Sequence, residues 1–219
     1  MNEFRTIELK KGIFERNDKV AKQTREALTK QNIFFLNLMS SPGSGKTTVV
    51  VETIKALKPE IRMAVMEADV DSEIDATAVA QTGAKVIQLH TGGMCHLDSQ
   101  MTLQGIESLD AQNVDMIILE NIGNLICTAS YDTGAHKNVM ILSVPEGDDK
   151  ALKYPLMFRK TDVLIISKID TLPMFDFNME ACISHAKSLN PAIEIFPISA
   201  KTGEGMDAWT DWVRQNIKQ

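Results

Sequence analysis

The chain has 219 residues, with 29 Asp and Glu against 23 Lys and Arg, a formal net charge of −6. That balance excludes nucleic acid or an anionic membrane as the main partner, because both reward positive charge. Hydrophobic residues make up 44%, enough for a substantial core in one α/β domain covering residues 1–219.

The N-terminus, Met1-Asn2-Glu3-Phe4-Arg5, is polar, and no apolar run is long enough to span a bilayer, so a cytoplasmic protein is expected. Residues 12–31 are rich in charge and helix formers, with Ile13, Val20, Ala21 and Leu28 along a rough face. They predict an amphipathic helix, a lead-in within residues 1–31 that packs on the domain surface. Next comes an apolar run, Phe34 to Met39, then Ser40-Ser41-Pro42-Gly43-Ser44-Gly45-Lys46-Thr47-Thr48, then the apolar-periodic Val49 to Ile54. This reads as strand, phosphate loop, helix. Gly43 and Gly45 let the backbone turn sharply and aim N–H groups, with that of Ser44, at an anion. The helix starting near Thr47 adds its positive end. Lys46 is placed to reach the β- and γ-phosphates and the Thr47 hydroxyl to hold Mg²⁺. Ser40 stands where the pattern usually opens with Gly.

Further strand-like runs follow at 63–66, 86–89, 116–119, 139–144, 163–166 and 193–198, with helical segments between most of them. Seven strands alternating with helices predict a mostly parallel sheet covered on both faces, a P-loop NTPase fold. Ligands of such a sheet bind at the carboxyl ends of the strands. After the sixth strand comes Ser167-Lys168-Ile169-Asp170, and after the last Ser199-Ala200-Lys201. The Asp170 carboxylate can accept from N1–H and the 2-amino group of guanine, which adenine does not offer. The Lys168 stem can lie across the base, and Ser199, Ala200 and Lys201 suit a second base loop. Both resemble the guanine motifs of GTPases, with Ser167 in place of the usual Asn. After the fourth strand, Glu120 is a candidate for the second Mg²⁺ position and the Gly123 N–H for γ-phosphate contact. Asp69, Asp71 and Asp75 lie where a switch loop is expected, and one of them is a candidate to position the attacking water.

Three cysteines do not read as a disulfide framework. Cys95 and His96 follow the third strand and Cys127 the fourth, so a parallel sheet brings them to the same edge. A helix from Leu97 to Leu109 would lower the Cys95 thiol pKa. Two thiolates and an imidazole suit Zn²⁺ or Ni²⁺. One chain is a ligand short of a closed site, and a second copy can complete it. Cys182 lies on a stripe with Met179, Ile183, Ala186 and Leu189 and reads as core.

Taken together, the segments Leu38 to Thr48, Thr91-Gly92-Gly93-Met94-Cys95-His96-Leu97-Asp98 and Glu120-Asn121-Ile122-Gly123-Asn124-Leu125-Ile126-Cys127 resemble the hydrogenase nickel-incorporation GTPases of the HypB family. Leu152-Lys153-Tyr154-Pro155 is similar too. The resemblance implies GTP hydrolysis, GTP-promoted homodimerisation, and a Ni²⁺ or Zn²⁺ site at the dimer interface made by Cys95, His96 and Cys127. It implies nickel delivery to a [NiFe]-hydrogenase large-subunit precursor with a small zinc-binding partner protein. Thr128, where Pro usually follows the cysteine, predicts a looser loop, and Ser167 predicts weaker nucleotide binding. No Cys- or His-rich stretch precedes the first helix, so tight nickel storage is not expected. The alternatives are a urease-type or other metallocofactor maturation GTPase, whose Cys-Pro-His differs from Met94-Cys95-His96, a metal-storage or zinc-sensing protein, and a P-loop small-molecule kinase. The kinase would need lid arginines, and only Arg62 and Arg159 lie between the phosphate loop and the last strand.

Overall fold

Residue order alone sets up alternating layers. In the computed structural model, which describes residues 9–69, 74–110 and 113–217 (backbone alone at 9–13, 69 and 74), α1 (Leu9–Lys30) leads into β1 (Phe34–Ser40) and α2 (Lys46–Leu57). Then come β2 (Met63–Asp69), α3 (Ile74–Ala80), β3 (Lys85–His90), α4 (Ser99–Ser108), β4 (Met116–Glu120) and β5 (Lys137–Ser143). The chain closes with α5 (Lys150–Lys153), α6 (Pro155–Lys160), β6 (Val163–Ser167), α7 (Met179–Leu189), β7 (Glu194–Pro197) and α8 (Met206–Ile217).

The seven strands form one sheet in the order β3-β2-β4-β1-β5-β6-β7, and every neighbouring pair is parallel. This is a P-loop NTPase fold. β4 and β6 are buried along their whole length, as strands covered on both faces must be. Side chains alternate across β1. Leu36 and Leu38 pack with Val50 and Ile54 of α2, Val79 of α3 and Trp209 of α8. Phe35 turns to the other face with Leu28 of α1 and Leu97, and Met39 with Phe158 of α6 and Cys182 of α7. Cys182 is therefore core, and burial pushes its thiol up to about 12.

α1 is more than a surface lead-in. Ala21 and Leu28 are buried as the sequence suggests, but so are the polar Asn17 and Thr24. Two element ends differ from expectation with consequences for the site. β2 runs on to Asp69, so Glu67 is a strand residue paired with Glu120 of β4. α4 starts at Ser99, where the Asp98 carboxylate caps it by accepting the Met101 N–H. Cys95 thus lies outside the first turn, with the acidic cap Asp98 between it and the helix.

Candidate nucleotide and metal site

β1 ends at Ser40 and the chain turns through Gly43 (φ 75°) and Gly45 (φ 92°), backbone conformations a side chain strains. Gly45 is the N-cap of α2, whose first residue is Lys46. The position that departs from the usual pattern has a partner. Ser40 is fully buried, and its hydroxyl accepts from Lys46 Nζ (3.0 Å) and from Ser44 Oγ (2.6 Å) while donating to the Ser41 carbonyl (2.7 Å). Lys46 is folded back on its own loop.

Beside it, Thr47 Oγ1 donates to Glu120 Oε1 at 2.7 Å. Glu120 and Glu67 are both buried, and each keeps one carboxylate oxygen, Glu120 Oε2 and Glu67 Oε1, with no hydrogen-bond partner. Burial, then the facing Glu120 charge, pushes Glu67 up to about 10; burial also pushes Glu120 up, against the pull of Lys46. Two orphaned carboxylate oxygens beside a threonine hydroxyl are the hard donors Mg²⁺ takes, and that ion needs only one or two carboxylates when phosphates and water complete it. A cavity of about 250 Å³ opens here, lined by Gly43, Lys46, Glu67, Asp75, Glu120 and Gly123 among others. Gly123 leaves no room for a side chain, since a Cβ there would lie 2.9 Å from Pro42 Cγ and 3.0 Å from Pro42 N. Asp75 faces this cavity; Asp71 and the side chain of Asp69 lie outside the described residues.

A second cavity of about 390 Å³ lies at the ends of β6 and β7, lined by Ser44, Gly45, Thr48, Lys168, Asp170, Ser199, Ala200 and Lys201 among others. Lys168 adopts a left-handed backbone (φ 60°) and sends Nζ 2.7 Å to the Gly43 carbonyl, laying its stem against the phosphate loop. Asp170 Oδ1 accepts from Ser199 Oγ at 2.7 Å, and both residues line the cavity. Ser167, standing where Asn is usual, still joins the base loop to the phosphate loop. Its buried hydroxyl donates to the Ser44 carbonyl at 2.7 Å, so the two loops are tied directly. Neither Arg62, which pairs with Asp115, nor Arg159 on α6 lines either cavity.

Cys95 and Cys127 meet at the same edge. Their sulfurs are 2.8 Å apart and both thiols are free. The His96 Nδ1 is 3.9 Å from Cys95 Sγ, and its ring stacks on Tyr131 with centroids 3.9 Å apart. Among the described residues no three His, Cys, Asp or Glu side chains enclose a common point. The cysteine pair could supply two donors to a metal, since spreading the sulfurs to roughly 3.7 Å would suit tetrahedral metal–sulfur bonds of about 2.3 Å. The Cys95 contact, with burial, raises the Cys127 thiol pKa. The loop is held, not loosened, by Thr128: its buried hydroxyl donates to the Asn124 carbonyl, and Asn124 Oδ1 accepts from the N–H groups of Ile126 and Cys127 at 2.8 Å each.

Residues 34–197 match the model of the CobW/HypB/UreG nucleotide-binding domain. The hydrogenase maturation factor HypB of Rhizobium leguminosarum is 43% identical over 97% of this chain and 71% of its own length. The chain belongs to the HypB family. Two solved HypB structures superpose on it. That from Helicobacter pylori in complex with nickel gives a TM-score of 0.87 at 36% identity, covering 93% of this chain and 95% of the other. That from Archaeoglobus fulgidus gives 0.86 at 33%, covering 93% and 99%. Within this HypB-family frame, Lys46, Glu120, Gly123, Lys168, Asp170 and Lys201 line the two cavities, as does Glu67, which the motifs omit; they also omit Tyr131, which stacks on His96. A lone acid in the apolar run Met63 to Ala68 is the available signal for Glu67. Nothing in the sequence points to Tyr131, whose contact with His96 forms only in the fold.

Proposed function

We propose that this chain binds GTP with Mg²⁺, hydrolyses the nucleotide, and uses the cycle to deliver nickel during [NiFe]-hydrogenase maturation. The observation that carries this is a single loop. Glu120 and Gly123 face the phosphate end of the nucleotide cavity, and Cys127, against Cys95, lies four residues beyond Gly123. Asp170 and Lys168 select and seat guanine, with Ser199, Ala200 and Lys201 closing the base loop. Gly43, Ser44, Gly45 and Thr48 cradle the phosphates with backbone and hydroxyl donors. Lys46 leaves Ser40 to meet the β- and γ-phosphates. Thr47 and Glu120 hold Mg²⁺, which neutralises charge developing on the phosphates. Asp75 faces the same space and, with Asp69 and Asp71, is a candidate to orient the attacking water. Among the described residues no arginine lines the two cavities to supply transition-state charge, so unassisted turnover is slow.

Cys95, His96 and Cys127 bind Ni²⁺ or Zn²⁺ as cargo. Three ligands per chain leave the site open, and a homodimer formed in the GTP state completes it. The nickel-bound Helicobacter pylori relative supports the metal half of this assignment. The partners are then a small zinc-binding nickel chaperone and the hydrogenase large-subunit precursor, in the cytoplasm, with no nucleic acid or membrane involved. No helix among the described residues is long and apolar enough to cross a membrane.

The test is Ni²⁺ titration of wild type, Cys95→Ala and Cys127→Ala, each with GDP and with a non-hydrolysable GTP analogue, with mass followed by light scattering. The analogue is expected to raise both dimer fraction and metal affinity, and linkage requires Ni²⁺ to raise analogue affinity by the same factor. Identical affinity and mass in the two nucleotide states would sink the coupling; wild-type affinity in Cys127→Ala would show the metal site to be misplaced.

A further inference from the structure

The two halves of the cysteine–histidine site come from loops far apart in sequence, and each half is fastened to α1. Asn17 is buried in α1 and uses both ends of its amide. Its Nδ2 donates to the Asp132 carbonyl (2.9 Å), five residues beyond Cys127. Its Oδ1 accepts the Ser99 N–H (2.8 Å), three residues beyond His96, and its own carbonyl accepts the Ser99 hydroxyl (2.8 Å). The Ser99 N–H is one of the unpaired donors of the first turn of α4, so Asn17 fills a need the helix cannot meet itself. Tyr131 forms a second strut. Its ring lies 12° from parallel with His96, and Phe14 of α1 packs on it with centroids 5.3 Å apart. Arg25 completes the bracket, donating from Nη2 to both Asp132 carboxylate oxygens (2.7 and 2.9 Å) and from Nε to the Ala135 carbonyl (2.7 Å).

We infer that α1 is the bracket of the metal site, with Asn17 and Tyr131 as positioning residues that keep Cys95, His96 and Cys127 in register. The inference rests on the proposed metal binding by these three residues. None of the bracket side chains is a ligand. Asn17 sets the spacing of the two loops, and Tyr131 sets the plane of the imidazole, which decides where its free nitrogens point. Residues that orient metal ligands in this way change affinity by about tenfold or more when removed.

Two readouts separate the positioning from the metal. The first is metal-free: bridging of Cys95 to Cys127 by dibromobimane, which fluoresces when it links two nearby thiols. Cys182 is fully buried and stays silent. The second is Ni²⁺ affinity with the thiolate-to-metal charge-transfer band. Asn17→Ala is expected to slow bridging several-fold and weaken Ni²⁺ by about tenfold, with GTP affinity unchanged. Asn17→Asp keeps the Ser99 bond but loses the donor to Asp132, and falls between. Tyr131→Ala is expected to shift the charge-transfer band and weaken Ni²⁺, and Tyr131→Phe, which keeps the stack, to restore both. If wild type bridges rapidly and Asn17→Ala slows it while wild type binds no Ni²⁺, the nickel assignment fails and the bracket stands. If Asn17→Ala and Asn17→Asp bridge like wild type, or Tyr131→Phe fails to restore what Tyr131→Ala loses, the bracket is wrong.

Discussion

Glu67 and Glu120 stand opposite each other on β2 and β4, each buried and each with one carboxylate oxygen unpaired. Glu67 is held protonated to about 10. In the unfolded chain it loses its proton near its ordinary value of 4.5. Between those limits the folded state binds the extra proton, so this residue makes the nucleotide-free protein less stable as pH rises. Glu67→Gln removes that slope. The gain in Tm of Glu67→Gln over wild type, measured in EDTA without nucleotide, is expected to grow from about pH 5 to about pH 8. Parallel curves would show that Glu67 is ionised in the folded protein.

The base cavity makes a paired prediction. Asp170→Asn is expected to weaken GTP and improve xanthosine triphosphate binding, because the partner polarity inverts and guanine donors are left unmatched. Ser167→Ala cuts the tie to Ser44 without touching the base. A lost hydrogen bond of about 1 kcal/mol predicts about a fivefold weaker affinity for GTP and GDP alike, with the preference for guanine kept. Fluorescent-nucleotide competition reads both variants. Unchanged GTP affinity in Asp170→Asn would rule out its role in base selection.

On the face of the sheet covered by α2 and α8, Trp209 Nε1 donates to Thr53 Oγ1 at 2.9 Å, and Thr53 donates to the Val49 carbonyl at 2.7 Å. Thr53→Val keeps the shape and strands the indole N–H in a site 1% exposed. A cost of about 1–3 kcal/mol is expected by urea denaturation. A change near zero would mean that the indole finds another acceptor.

His136 fastens α1 to β1. Its Nδ1 accepts the Phe35 N–H at 2.9 Å and its Nε2 faces Thr29 Oγ1 at 2.9 Å. Burial, then the nearby Arg25 charge, holds its pKa below 6.5. The unfolded chain therefore takes up a proton first as pH falls. The stability His136 contributes is complete above pH 6.5 and is lost as pH drops through the lowered folded value. His136→Asn supplies a neutral acceptor and is expected to flatten the acid limb of the Tm profile below that pH. An unchanged acid limb would place the sensitivity elsewhere.

How far the residues foretold the molecule depends on the range of the interaction. Strand positions were legible because Val163 to Ile166 is apolar throughout and Phe34 to Met39 is apolar but for Asn37, as a doubly covered strand requires. The phosphate loop was legible because Gly43, Gly45, Lys46 and Thr47 act within one turn of each other. Strand order was not, because nothing in β1 says that β4 and β5 will flank it. Glu67 was hidden for a related reason: its partner is 53 positions away, and a carboxylate after apolar residues looks like the start of a loop. The tie made by Ser167 was not legible either, because its hydroxyl reaches the Ser44 carbonyl 123 positions away. The polar side of α1 looked solvated because Asn17 finds its partners 82 and 115 residues downstream.

Those same distances set an order of events at the ribosome. α1 is synthesised first, yet Ser99, Asp132 and Ala135 must all emerge before it can dock. β1 is in the same position, since its two neighbours are β4 and β5 and the first strands able to pair are β2 and β3. Until Met116 appears, the strand that carries the phosphate loop has no partner on either edge. Pairings of this sequence range close slowly and leave apolar edges open in the meantime. A nascent chain of this protein therefore carries a complete phosphate-loop sequence long before it has a phosphate site, and it must be shielded from aggregation over that interval.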